Sequence, residues 1–144
     1  MFVIRIRKST ILLAFISVVV SAPFTGYAES LNQAVESGKH LFMTANFNGN
    51  SRTCNSCHMA GGTTAGKLPD GSPIPSLNNA AAVFPRYNRR QEKVITLLDQ
   101  VHNCVAGALQ GTPPAYDSAE MVDLISYLSS LSQGKPLNMG GKPE

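Results

Sequence analysis

Five consecutive residues, Cys54-Asn55-Ser56-Cys57-His58, limit what this 144-residue chain can fold around. Two thiols three positions apart and followed by a histidine form the attachment pattern of a c-type haem, because the thiols can join its two vinyl groups as thioethers. His58 would then lie against the iron as its proximal ligand. The sequence holds one such motif, so it predicts one covalently attached haem c.

Other chemistries also use a Cys-x-x-Cys pair. A redox-active dithiol is disfavoured by the histidine that follows Cys57 and by the lack of a strand and helix around the motif. A structural zinc site needs four ligands, and the chain has no second Cys-x-x-Cys pair. A disulfide between Cys54 and Cys57 remains the simplest interpretation without haem.

Residues 1–28 have the three-part layout of a secretory signal. Three basic residues precede an apolar run over residues 11–20, and Gly26-Tyr27-Ala28 places small residues at the two positions that a signal peptidase reads. The run is shorter than the roughly 20 residues that span a bilayer, so an uncleaved anchor is the weaker interpretation. We expect cleavage after Ala28, export of a single domain over residues 29–144 to the periplasm, and no membrane span in it.

Charge excludes one class of partner. Residues 1–28 carry three of the twelve Lys and Arg and none of the nine Asp and Glu, so the expected mature chain has no net charge. A neutral chain without a basic stripe is a poor binder of nucleic acid.

Apolar residues recur with helical spacing in three segments. Ser30 is placed to cap a first helix with apolar positions over residues 31–42, and Ser118 a last helix with an apolar stripe over residues 121–131. A second helix is predicted from Glu92 to about Leu109. No segment alternates with period two, so the sequence predicts an all-α fold.

The middle of the chain contains too many helix breakers for a long helix. Eight glycines and prolines lie between residues 61 and 85, and a loop over residues 59–87 is longer than compact domains usually contain. A haem at the centre would give these loops an apolar body to pack against. The Gly- and Pro-rich tail over residues 135–144 is expected to be loosely held.

The second axial ligand of the iron has several candidates. Cys104 is the thiol left over after haem attachment, and it lies next to the apolar face of the second predicted helix. We hypothesise that it ligates iron as a thiolate, against the simpler interpretation of a small buried hydrophobe. Met139, in the tail, is the conventional alternative.

Four further residues are weaker candidates for the second axial position. Met121 lies on the apolar stripe of the last helix, where methionine usually fills the core. Met59 adjoins the proximal histidine and should not reach the other haem face. His40 lies away from the apolar face of the first helix, and His102 does not share a helix face with Cys104.

Several segments resemble a known family. The first helix with Gly38 and Phe42, the haem motif, a wrapped loop and the last helix resemble class I cytochromes c. More narrowly, the order of short segments resembles the N-terminal haem domain of thiosulfate dehydrogenases and of the A subunit of sulfur-oxidising (Sox) complexes. These segments are Phe84-Pro85-Arg86-Tyr87, Val94-Ile95-Thr96-Leu97, Val101-His102-Asn103-Cys104, Leu109-Gln110-Gly111 and Ser118-Ala119-Glu120-Met121.

The resemblance implies a class I cytochrome c fold, with three to four helices and long loops around one haem. In that family the cysteine that matches Cys104 is the sixth ligand, at a site that handles thiosulfate. The implied function is a periplasmic monohaem cytochrome that passes single electrons to or from a redox partner protein in sulfur-compound oxidation.

Two alternatives to this function stay open. In a thiosulfate-oxidising enzyme or its haem subunit, Cys104 would be catalytic, and Arg86, Arg89 and Arg90 would attract the anion. A solvated loop explains the arginines equally well. In a haem sensor, the labile thiol would bind a small ligand.

Overall fold

The computed structural model describes residues 29–144, so the expected signal segment 1–28 lies outside the described residues. The described part contains four α-helices and two short antiparallel strand pairs, which confirms the predicted all-α class with three to four helices. The helices are α1 (Leu31–Thr44), α2 (Ala80–Val83), α3 (Leu97–Gly107) and α4 (Ala119–Leu131). The strands are β1 (Gly66–Lys67) with β2 (Pro73–Ile74), and β3 (Arg86–Asn88) with β4 (Lys93–Ile95). Over residues 29–144, no helix is both long and apolar enough to cross a bilayer.

Helices α1 and α4 pack against each other along their length. Ser30 and Ser118 cap them as predicted, since each side chain accepts a backbone hydrogen bond from the first turn. The helices approach most closely at Gly38, where any Cβ would collide with the Asp123 carbonyl. Nearby, the rings of Phe42 and Tyr127 meet edge to face, 5.5 Å apart. This crossing is the main support of the fold.

The second predicted helix begins later than the sequence indicated. Residues 93–95 pair with residues 86–88 as β4 and β3, so the prediction of a helix from Glu92 is wrong. Thr96 starts α3 instead, because its hydroxyl accepts from the Asp99 backbone while the Asp99 carboxylate accepts from the Thr96 backbone. Val94, in the part of the predicted helix that forms β4, is 65% exposed.

The tail runs back along α2. The backbone N–H of Asn138 donates to the Ala82 carbonyl at 2.8 Å, and that of Gly140 donates to the Val83 carbonyl at 3.0 Å. The Asn79 side chain donates to the Lys142 carbonyl at 3.3 Å and accepts from the Glu144 backbone at 3.1 Å. These contacts bring the tail to the edge of the site described next.

Candidate functional site

A cavity of about 260 Å³ lies between the Cys54–Cys57 turn and α3, open to solvent on one side. Most of its wall is apolar, from α1, α2, α3, α4 and the loops between them. The reactive side chains in the wall are the three cysteines and one histidine. The principal lining residues are Cys54, Cys57, His58, Cys104, Phe42, Pro75, Leu77, Ala80, Phe84, Leu97, Val101, Leu109 and Leu128.

The motif forms a 3-10 turn, Cys54–Ser56, that brings its side chains to the cavity. The His58 backbone N–H donates to the Cys54 carbonyl at 3.0 Å, which closes the turn. Asn55 accepts from the Gly61 backbone at 2.8 Å, and the Tyr127 hydroxyl donates to the Gly61 carbonyl at 2.6 Å. The motif is thereby tied to α4.

His58 is held in one orientation. Its Nδ1 lies 3.1 Å from the Pro75 carbonyl, so a neutral ring donates from Nδ1 and leaves a lone pair on Nε2. Burial lowers the pKa of His58, and the Pro75 carbonyl opposes that shift only in part. A neutral imidazole is the form that binds iron.

The two cysteines of the motif lie in the mostly apolar wall of the cavity. Burial, followed by the nearby Cys104, raises the pKa of Cys54 to about 12. Within residues 29–144 no disulfide forms, so the Cys54–Cys57 disulfide is not present. The same part of the chain holds no group of three His, Cys, Asp or Glu close enough together to bind a metal ion.

Cys104 enters the cavity from α3. Burial raises the pKa of this thiol, whereas the Gln100 amide and the Arg86 charge act in the opposite direction. Gln100 lies one turn earlier on α3, and its Nε2 donates to the Cys104 sulfur at 3.2 Å. The cavity therefore combines two thiols and an imidazole from one segment with a third thiol from a helix.

The other candidates for the second axial position lie elsewhere. Met139 is 62% exposed and lines neither this cavity nor the next, and Met59 is 52% exposed. Met121 is fully buried in the core, as its stripe position predicts. His102 stacks on Tyr116, with ring centroids 5.0 Å apart, and His40 lies on the exposed face of α1.

A second, basic cavity of about 670 Å³ adjoins the first. It is lined by Arg86, Arg89 and Arg90 from the β3 strand and the turn after it, and by Lys142 from the tail. Arg86 and Gln100 line both cavities. The sequence did not identify Lys142 as a residue of this cavity, because its position depends on how the tail folds back.

These residues suit a covalent haem. The cavity supplies two thiols at the haem spacing, a histidine whose Nδ1 is bonded to Pro75 so that Nε2 is free, and an apolar wall that can shield a macrocycle.

The family model of the SoxA/TsdA cytochrome c domain matches residues 37–137. The chain belongs to this family. The match confirms the resemblance, the class I cytochrome c fold and the haem c cofactor that the sequence predicted.

Curated relatives agree with the family match. A thiosulfate dehydrogenase of Stutzerimonas stutzeri is 30% identical over 114 residues, covering 76% of this chain and 35% of the relative. A thiosulfate dehydrogenase of Allochromatium vinosum is 31% identical over 91 residues, covering 63% of this chain and 33% of the relative. The chain thus spans about a third of the length of these relatives.

Solved structures share the fold. A thiosulfate dehydrogenase (TsdBA) from Marichromatium purpuratum superposes with a TM-score of 0.63 at 23% identity, over 78% of this chain and 26% of that one. SoxXA from P. pantotrophus superposes with a TM-score of 0.56 at 24% identity, over 74% of this chain and 35% of that one.

Proposed function

We propose that this protein is a periplasmic monohaem cytochrome that transfers single electrons during thiosulfate oxidation. The haem would be joined to Cys54 and Cys57, with His58 as the proximal ligand and Cys104 as the second axial ligand. The observation that carries this proposal is that Cys104, of the six candidate side chains, lines the same apolar cavity as the haem motif.

The surrounding residues would prepare the site for electron transfer. The Pro75 carbonyl fixes the tautomer and plane of His58, and the apolar wall excludes water from most of the cavity. The haem iron supplies the one-electron chemistry when bound. A thiolate ligand at Cys104 favours the oxidised state, so we expect a lower reduction potential than with methionine.

Electron paramagnetic resonance tests the ligation. Oxidised protein should show low-spin thiolate signals, and Cys104→Ser should lose them while it keeps the covalent haem. Met139→Leu is the matched control, because Met139 lies outside the cavity, and it should leave the spectrum unchanged. An unchanged spectrum in Cys104→Ser together with a changed one in Met139→Leu would assign the second ligand to Met139.

A second candidate function is catalysis on thiosulfate itself. The basic cavity favours it, since four cationic side chains line a space that shares Arg86 and Gln100 with the Cys104 cavity. An inorganic dianion is the kind of ligand that such a surface attracts. Mixing the holoprotein with thiosulfate and ferricyanide tests this candidate, because sustained reduction of ferricyanide requires turnover. If ferricyanide is reduced by thiosulfate no faster with the holoprotein than in buffer alone, catalysis is contradicted and electron transfer remains the proposed function.

Export is part of the proposal and has its own test. Mass spectrometry of protein purified from the periplasm should give a chain that begins at Glu29 and carries the mass of one haem. A chain that keeps residues 1–28 would contradict the cleavage.

A further inference from the structure

We infer that Gln100 is a positioning residue that links an anion in the basic cavity to the sulfur of Cys104. This inference rests on the proposed function, in which Cys104 ligates the haem iron. It goes further by naming the side chain through which a thiosulfate-like dianion would act on that sulfur.

The first observation is the hydrogen bond within α3. Gln100 Nε2 lies 3.2 Å from Cys104 Sγ, and residues four apart lie on the same helix face. Both residues lie on α3, whose start is fixed by the Thr96 and Asp99 capping box and whose Leu97 and Val101 are buried in the core. The amide therefore reaches the sulfur from within one helix.

The second observation is the position of Gln100 between two spaces. Gln100 and Arg86 are the residues that line both the haem cavity and the basic cavity. A glutamine amide has two N–H donors, and the bond to Cys104 uses one of them. The other N–H can donate to an anion held by Arg86, Arg89, Arg90 and Lys142. One side chain can thus contact the sulfur and the anion together.

The effect on the iron follows from the chemistry of the sulfur. A hydrogen bond to a thiolate withdraws electron density from it, so the thiolate donates less to iron and the reduction potential rises. Removing the donor should therefore lower the potential. An anion that accepts the other N–H of Gln100 should change the hydrogen bond to Cys104, and so should shift the potential and the spectrum.

Two variants of Gln100 separate this role from simple packing. Gln100→Leu keeps the bulk and loses the donor, whereas Gln100→Glu loses the donor and adds a negative charge to both cavities. The reduction potential should therefore be highest in the parent, lower in Gln100→Leu and lowest in Gln100→Glu. The thiolate signals should persist but shift in both variants. Gln133→Leu, an exposed glutamine after α4, is the matched control and should match the parent.

Thiosulfate titration completes the test. The anion should shift the resonance spectrum of the parent holoprotein, and Gln100→Leu should need about tenfold more thiosulfate for half of any remaining shift, as expected for one lost hydrogen bond to a charged group. Potentials and spectra of both Gln100 variants that equal the parent's would overturn the inference. In that case a changed Cys104→Ser spectrum would still support the proposed function, whereas an unchanged one would overturn the ligation itself.

Discussion

At the scale of single residues, Asp123 is the least satisfied side chain in the described part of the protein. It is 8% exposed, and within residues 29–144 no donor reaches its Oδ1. Burial, followed by the carboxylates of Glu29 and Glu120, raises the pKa of Asp123 above its usual value of 3.8. A buried carboxylate oxygen that no donor reaches destabilises the fold whenever the group is charged.

The pH dependence follows from the direction of that shift. The folded state binds the Asp123 proton more tightly than the unfolded state does, so this residue costs no stability below the unfolded pKa. Its cost grows as the pH rises from the unfolded pKa through the folded pKa. Asp123→Asn should therefore stabilise the holoprotein by about 1 kcal/mol at pH 7, and the gain should vanish near pH 4.

Thermal unfolding of the holoprotein at several pH values measures this gain. Glu36→Gln removes an exposed carboxylate from the middle of α1 and should leave the melting temperature nearly unchanged. A melting temperature that drops in Asp123→Asn at pH 7 would contradict the prediction.

At the scale of elements, the crossing of α1 and α4 depends on Gly38. A methyl group there would meet the Asp123 backbone, which cannot move without displacing α4. Gly38→Ala should therefore lower the free energy of unfolding by about 2 kcal/mol or more, as overpacking in a core does.

Gly107 provides the matched control for Gly38. It also lies in a helix, at the end of α3, but nothing lies within 4 Å of an added Cβ. Gly107→Ala should be neutral or stabilising by up to about 1 kcal/mol, because alanine favours helix. Denaturant unfolding of both holoproteins measures the difference, and equal stabilities would show that the helices tolerate a wider separation.

The elements also show which features were readable from the sequence. Helix caps and apolar stripes depend on residues close together in the sequence, so Ser30 and Ser118 correctly predicted the starts of α1 and α4. The strands are two or three residues long, which is too short for an alternation of apolar and polar residues to appear. The apolar residues of β4 continue the helical spacing of α3, so the sequence predicted β4 as part of that helix. Thr96 followed three residues later by Asp99 was the local signal that could have placed the true start of α3.

Some residues of the candidate site could also be predicted from the sequence, and others could not. The haem motif and Cys104 could be identified from residue type and spacing. Gln100 could not, because a polar residue on a helix has no distinguishing pattern until the cavities on both sides are known. Lys142 and the Pro75 carbonyl depend on contacts between distant parts of the chain, which no local pattern records.

At the scale of the whole molecule, the cavity is lined by part of the main apolar cluster. Six buried residues of the main apolar cluster line it: Phe42, Ala80, Phe84, Leu97, Val101 and Leu128. Helix α3 packs only lightly on α4, whereas α1 and α4 pack along their length. Haem would therefore supply much of the apolar surface against which α3 and the loops pack.

Removing both attachment thiols tests whether the polypeptide folds without that surface. Cys54→Ala/Cys57→Ala should lose haem, the cooperative melting transition and most of the helical circular dichroism. Helices α1 and α4 have 14 and 13 residues, and isolated helices of that length are marginal in water. Cys104→Ala, which keeps both attachment thiols, should retain the haem and its helicity. A colourless double variant with full helicity and a sharp transition would show that the crossing of α1 and α4 organises the fold without haem.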